Sequence, residues 1–317
     1  MTRVAAVDCG TNSIRLLVAD ADPSTGELVD LDRRMTIVRL GQGVDRTGRL
    51  APEALRRTFA ACREYAAIIK EHGAERLRFV ATSASRDAEN RDEFVRGVLD
   101  ILGVEPEVIT GDQEAEFSFT GATKELAGSD HLPKPYLVVD IGGGSTEFVV
   151  GDDHVRAARS VDIGCVRMTE RYLVRDGVVS DPPSEERIAA MRADIEAALD
   201  LAEQSVPLRE ARTLVGLAGS VTTVSAIAQQ LPVYDSEAIH HSRVSYDRVR
   251  EITEWLLRST HAERAAVPSM HPGRVDVIGA GALVLLSIME RIGAREVVVS
   301  EHDILDGIAH SCAAEAR

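Results

Sequence analysis

The chain has 317 residues, 44% of them hydrophobic and 4% aromatic, with a formal net charge of -15. That length and apolar content suit about two globular domains, each burying its own core. The acidic balance and scarcity of stacking side chains argue against nucleic acid as a partner, and no apolar run reaches the ~18 residues that would cross a membrane.

In chain order, residues 4–8 read as a strand, 13–20 as its hairpin return and 27–40 as the third strand of an antiparallel meander. Leu55, Phe59, Cys62, Ala66 and Ile69 then recur at helical spacing after Pro52, until His72-Gly73 ends the run. Residues 78–82 read as a strand, 90–102 as a helix, 107–109 as a strand and 113–127 as a helix. Gly, Pro and polar residues concentrate between Ala127 and Pro135, marking a linker between a first lobe, 1–126, and a second, 127–317. The second lobe restarts the plan with strands at 136–140, 146–151 and 154–161, then a helix at 184–204 that buries Ile188, Met191, Ile195, Leu199 and Ala202. Strand Thr213–Leu217 runs into a further helix, Gly279-Ala280-Gly281 opens a strongly apolar one, Val297–Val299 is a strand and 303–315 a last helix. Strands followed by alternating strands and helices, twice over, predict an α/β protein of two related lobes. The apolar final helices suit either core or a homodimer face.

Cys9, Cys62, Cys165 and Cys312 lie far apart with no C-x-x-C pair, which argues against disulfides and zinc. With no secretory apolar segment after Met1-Thr2-Arg3, a cytoplasmic protein is expected.

The chemistry concentrates in a repeat. Val7-Asp8-Cys9-Gly10-Thr11-Asn12-Ser13 and Val139-Asp140-Ile141-Gly142-Gly143-Gly144-Ser145 align without a gap, each joining two apolar runs. Such a hairpin tip exposes backbone N–H groups that can grip phosphate, and two copies on two lobes predict a cleft that holds a phosphate chain. Ala218-Gly219-Ser220-Val221-Thr222 adds a third Gly-Ser turn, between strand and helix, where N–H groups favour an anion. Asp8, Asp140 and Glu147 beside these tips would repel phosphate without a cation, and hard oxygen ligands suit Mg2+. Asx capping of the turns is the structural alternative for the two aspartates. In Thr110-Gly111-Asp112-Gln113-Glu114-Ala115-Glu116, three acids compete to activate water, unless all merely complement a helix dipole. Arg86, after the strand at 78–82, is placed to grip phosphate, with Arg274 and Arg167 as weaker candidates. His240, His241, His261 and His271 lack zinc-helix spacing and read as surface or loop residues, while Trp255 reads as core with Ile252 and Leu256.

Taken together in order, the 8–13, 82–90, 111–115, 140–147, 164–167, 219–220 and 300–307 segments resemble the exopolyphosphatase and guanosine pentaphosphate phosphohydrolase family, across nearly the whole chain. The resemblance implies two ribonuclease-H-like lobes of the actin, sugar-kinase and heat-shock ATPase kind, with the active site between them and the terminal helix crossing back onto the first lobe. It implies Glu114 as catalytic base, although the residue before it, often a second glutamate in relatives, is Gln113 here. It further implies Mg2+, with Mn2+ as the alternative, on Asp140 and Glu147. Phosphate would lie on Gly10, Thr11, Asn12, Ser13, Arg86, Gly142, Gly143, Gly144, Ser145, Gly219 and Ser220. Cys9 replaces a bulkier apolar residue and should face away from phosphate. The chain resembles the short form without a helical extension, which implies short chains as substrate. The expected reaction is release of orthophosphate from the end of inorganic polyphosphate. The rivals are hydrolysis of a phosphorylated guanosine nucleotide, a small-molecule kinase of the same fold, and a non-catalytic sensor.

Overall fold

The computed structural model describes residues 1–126, 132–175 and 178–314. They group into two compact units, Met1–Glu125 with Asp303–Arg317, and Leu126–His302. The first five residues of the expected linker, 127–131, lie outside the described residues.

The first unit begins with β1 (Thr2–Cys9), β2 (Ser13–Asp22) and β3 (Glu27–Ile37), an antiparallel meander. The third strand stops short of the expected residue 40. Val38 and Arg39 give their N–H groups to the Asn12 carbonyl and Gly41 gives its own to Thr11, so the chain leaves the ladder to wrap the hairpin tip. A short turn, α1 (Val44–Thr47), precedes α2 (Pro52–His72), which starts with Pro at its first position and stops at Gly73 in the left-handed region, φ 65°. Then come β4 (Arg76–Ala81), α3 (Ser83–Asp87), α4 (Arg91–Leu102), β5 (Glu107–Val108) and α5 (Gly111–Leu126). The sheet order is β3-β2-β1-β4-β5, with β1, β4 and β5 parallel. Arg86 thus stands on a helical turn, α3, that apolar periodicity is too short to signal.

The second unit repeats that plan. β6 (Tyr136–Ile141), β7 (Thr146–Gly151) and β8 (Val155–Val161) form the meander, followed by α6 (Cys165–Met168), the pair β9 (Val174–Arg175) and β10 (Val178–Val179), and α7 (Glu185–Glu203). β11 (Thr213–Leu217) runs directly into α8 (Ala218–Ala228), and α9 (Ser236–Ile239), β12 (Arg243–Ser245), α10 (Tyr246–Arg258), α11 (His261–Ala265), α12 (Ile278–Ile292) and β13 (Glu296–Val299) follow. Its sheet order, β8-β7-β6-β11-β13-β12, matches the first sheet strand for strand and adds one antiparallel edge strand. Residues 278–289 of α12 are all buried, so its apolar length serves as core. On α10 the buried face is Val249, Ile252, Thr253, Leu256 and Leu257; Trp255 lies beside that stripe and is 41% exposed, against its reading as core.

The last helix, α13 (Ile304–Ala314), belongs to the first unit. Strand alternation on β1 explains its place: Ala5, Val7 and Cys9 join the core under α2 and α4, while Val4 and Ala6 pack with Ile304, Leu305, Ile308, Ala309 and Cys312. Asp8 shares the second face by the same two-residue period, and Cys9 lies on the opposite face, in the core with Ala5 and Val7. Among the described residues no helix is long and apolar enough to cross a membrane.

Candidate functional site

The two aligned hairpin tips close identically, with Gly10 N–H donating to Ser13 O at 2.9 Å and Gly142 N–H to Ser145 O at 3.0 Å. In the second tip, the carbonyl of Gly142 accepts from Cys165 N–H, that of Gly143 from Val166 and Arg167 N–H, and that of Gly144 from Arg167 Nε at 2.6 Å. A trans peptide points its N–H opposite to its C=O, so the N–H groups of Gly143, Gly144 and Ser145 face away from α6 as a row of donors. Gly164 permits this approach: a Cβ there would lie 2.4 Å from the Gly143 carbonyl. In the first tip the Thr11 and Asn12 carbonyls are held from behind by residues 38, 39 and 41, which turns the N–H groups of Asn12 and Ser13 outward in the same way. Thr11 Oγ1 meets Ser83 Oγ at 2.9 Å, and the buried Asn12 Nδ2 has no hydrogen-bond partner. A buried amide donor left unpaired is costly and suits an anion oxygen arriving from outside.

Asp140 and Glu147 face each other directly across β6 and β7, and are 7% and 1% exposed. Opposed residues of an antiparallel pair share one sheet face, so two buried carboxylates sit side by side. Ser160, on β8, donates to Glu147 Oε1 at 2.7 Å. Adjacent buried carboxylates cost free energy unless a cation neutralises them, and this oxygen pair fits a hard divalent ion. Among the described residues no group of three or more His, Cys, Asp or Glu could hold a metal ion, so other ligands would be water and substrate oxygen.

The first unit differs at the matching place. Arg15, unnoticed in the sequence, stands opposite Asp8 across β1 and β2 and donates from Nε and Nη2 to Asp8 Oδ2 at 3.0 and 2.7 Å. Its Nη1 bonds Asp303 Oδ2. Burial opposes the Arg15 charge, but Asp303 and Asp8 outweigh it and raise its pKa well above the ordinary value. Burial raises the Asp8 pKa, with Arg15 opposing and Asp303 adding to the rise.

Of the three competing acids, Asp112 and Glu116 are exposed and Glu114 is buried. Arg86 Nη1 reaches Glu114 Oε2 at 3.2 Å and the Ile109 carbonyl at 2.8 Å, so one guanidinium anchors the Glu114 carboxylate. Gln113 has a different task. Its Oε1 accepts from Thr110 N–H at 3.0 Å while its own N–H donates to Thr110 Oγ1 at 3.3 Å, the reciprocal pair of a capping box at the start of α5.

The third turn lies at the start of α8, where a Cβ on Gly219 would come within 1.8 Å of the Arg274 guanidinium. Ser220 is buried, and a Cβ on Gly281 would fall 2.2 Å from its Oγ and 3.2 Å from Cys165 Cβ. Burial raises the Cys165 thiol pKa despite Arg274 and Ser220. The second unit therefore gathers residues 142–145, 164–167, 219–220 and Arg274, while the first gathers residues 10–13, α3 and Glu114. His240 stacks on His241 and His302, with ring centroids 3.7 and 4.7 Å away, and His261 and His271 are exposed.

The model of the Ppx/GppA phosphatase family matches residues 17–315. Over 99% of both chains, this one is 52% identical to Exopolyphosphatase 2 of Mycobacterium tuberculosis. A solved exopolyphosphatase-like protein is 44% identical, with a TM-score of 0.93 over 98% of this chain and 97% of that one. A Guanosine-5'-triphosphate,3'-diphosphate pyrophosphatase of Photobacterium profundum is 26% identical over 99% of this chain and 60% of its own length. Two units of one strand order, each opening with the same Gly-Ser hairpin, and a family match over most of the sequence lead to one conclusion: the chain belongs to the Ppx/GppA phosphatase family.

Proposed function

We propose that this protein is an exopolyphosphatase, releasing orthophosphate from the end of inorganic polyphosphate. The observation that carries the reading is the buried Glu114 carboxylate anchored by Arg86, in a chain that also presents outward N–H rows from two Gly-Ser tips. A phosphate-binding fold becomes a hydrolase when it owns a base, and Glu114 is that base.

Glu114 takes a proton from water as the water oxygen attacks the terminal phosphorus, the bridging P–O bond breaks, and orthophosphate and the shortened chain leave. Arg86 holds the Glu114 carboxylate in place. Backbone N–H groups at 12–13 and 143–145, the Asn12 amide, and the Gly219-Ser220 turn with Arg274 bind phosphate oxygens and offset their charge. A divalent cation, Mg2+ or alternatively Mn2+, fits Asp140 and Glu147; when bound it supplies positive charge to phosphate oxygens. Neutralising and positioning the polyanion carry most of the acceleration.

The similarity to a guanosine-nucleotide pyrophosphatase makes guanosine pentaphosphate the second substrate to test. Phosphate release from short polyphosphate, long polyphosphate, guanosine pentaphosphate and ATP separates the readings: polyphosphate should be turned over fastest, and a preference for the nucleotide reverses the order. Glu114→Gln should lower kcat by about 10²–10⁴-fold with an unchanged far-UV spectrum. Near-normal turnover in that variant removes Glu114 as the base.

A further inference from the structure

The repeat that aligns Asp8 with Asp140 also aligns Arg15 with Glu147, since each lies seven residues on. The ladders give both pairs the same geometry, Asp8 directly opposite Arg15 and Asp140 directly opposite Glu147. One hairpin therefore sets acid against acid and the other sets acid against base. In the first unit the second acid comes from elsewhere: Asp303, at the start of α13, takes Nη1 of the same guanidinium that Asp8 holds through Nε and Nη2. Arg15 thus lies between two buried carboxylates, as a divalent ion would lie between Asp140 and Glu147. Asp303 is itself fixed, its N–H donating to Asp306 Oδ2 at 2.9 Å and its Oδ1 accepting from Leu305 N–H at 3.0 Å. Both Arg15 contacts on Asp8 fall on Oδ2; the other oxygen, Oδ1, is fully enclosed and has no hydrogen-bond partner. The guanidinium thus already supplies positive charge to the one Asp8 oxygen that makes hydrogen bonds.

We infer that Arg15 is a built-in cation standing in the first hairpin where the second accepts a metal, so the chain binds one divalent ion and Asp8 is not among its ligands. This replaces the expectation that Asp8 shares the metal, and it rests on the reading of Asp140 and Glu147 as ligands. Arg15 is a positioning residue: it neutralises Asp8 and Asp303 and ties the first Gly-Ser tip to α13.

The test is Mn2+ binding to the full chain, followed by calorimetry and by the electron paramagnetic resonance of free Mn2+. The wild-type chain should take up one equivalent. Asp8→Asn should keep that equivalent with Kd changed less than about threefold, whereas Asp140→Asn should lose it. Arg15→Ala, which leaves Asp8 and Asp303 facing each other without their cation, should gain a second equivalent that Arg15→Ala/Asp303→Asn lacks. Loss of the ion in Asp8→Asn, or a tenfold weaker Kd, overturns the inference, as does a folded Arg15→Ala with a single equivalent. If Arg15→Ala does not fold, Asp8→Asn decides alone. Retention of the ion in Asp140→Asn would instead count against the metal reading of the second hairpin.

Discussion

Gly219 illustrates how a single hydrogen in place of a methyl group sets a charge. A Cβ there would occupy the space of the Arg274 guanidinium, the far end of a flexible side chain that can swing aside at little cost. Gly219→Ala should therefore leave Tm within about 2 °C while lowering kcat/KM for polyphosphate about 10–100-fold, because misplacement by about 1 Å suffices to lose catalysis. A drop of ten degrees with unchanged kcat/KM per folded molecule would show that the glycine serves the helix start instead. The Gly-Ser tips were legible because their chemistry lies within four consecutive residues. Arg15 was not, since the residue that gives it meaning, Asp303, is 288 positions away and only the fold brings them together. Among three competing acids only the family resemblance singled out Glu114, and in the fold it is the one that is buried and meets Arg86, while Asp112 and Glu116 are exposed.

At the scale of elements, α5 and α13 touch through backbone. A Cβ on Gly121 would fall 1.8 Å from the Asp303 carbonyl oxygen, and one on Gly307 would fall 2.1 Å from that of Phe117. Backbone cannot swing away, so Gly307→Ala must push the helices apart, with an overpacking cost of about 1–3 kcal/mol. Since Asp303 opens α13, the displacement should also loosen Arg15, and activity should fall further than the melting shift accounts for. Thermal melts paired with phosphate release check this; full activity at an unchanged Tm contradicts the contact. Long helices and strands such as α2, β7 and β11 were readable from apolar period and from Pro and Gly at their ends. The five-residue α3 was not, because a single turn has no period to read. The capping box explains what the sequence left unassigned at Gln113: an amide serves the helix start as well as a carboxylate does.

The whole molecule repeats one sheet, and the pairing of the two meanders is where sequence reading succeeded most fully, because each strand lies beside its neighbour in the chain. The covering of β1, β2 and β4 depends on α13 from the far end, a crossing that the family resemblance implied and that apolar pattern alone did not. Ile304, Leu305 and Ile308 alone contribute about 4–9 kcal/mol of burial, comparable with the 5–15 kcal/mol net stability of a typical domain. A chain ended at His302 should therefore lose amide protection in β1, β2 and β4 while β6, β7 and β11 keep theirs in hydrogen exchange; equal protection in both sheets would show that α13 is dispensable. The same dependence has a meaning in time. During synthesis, the first sheet emerges from the ribosome almost two hundred residues before the helix that completes it, so the half of the molecule made first is the half finished last, and a nascent chain holds the Asp8 tip uncovered until residues 303–314 arrive.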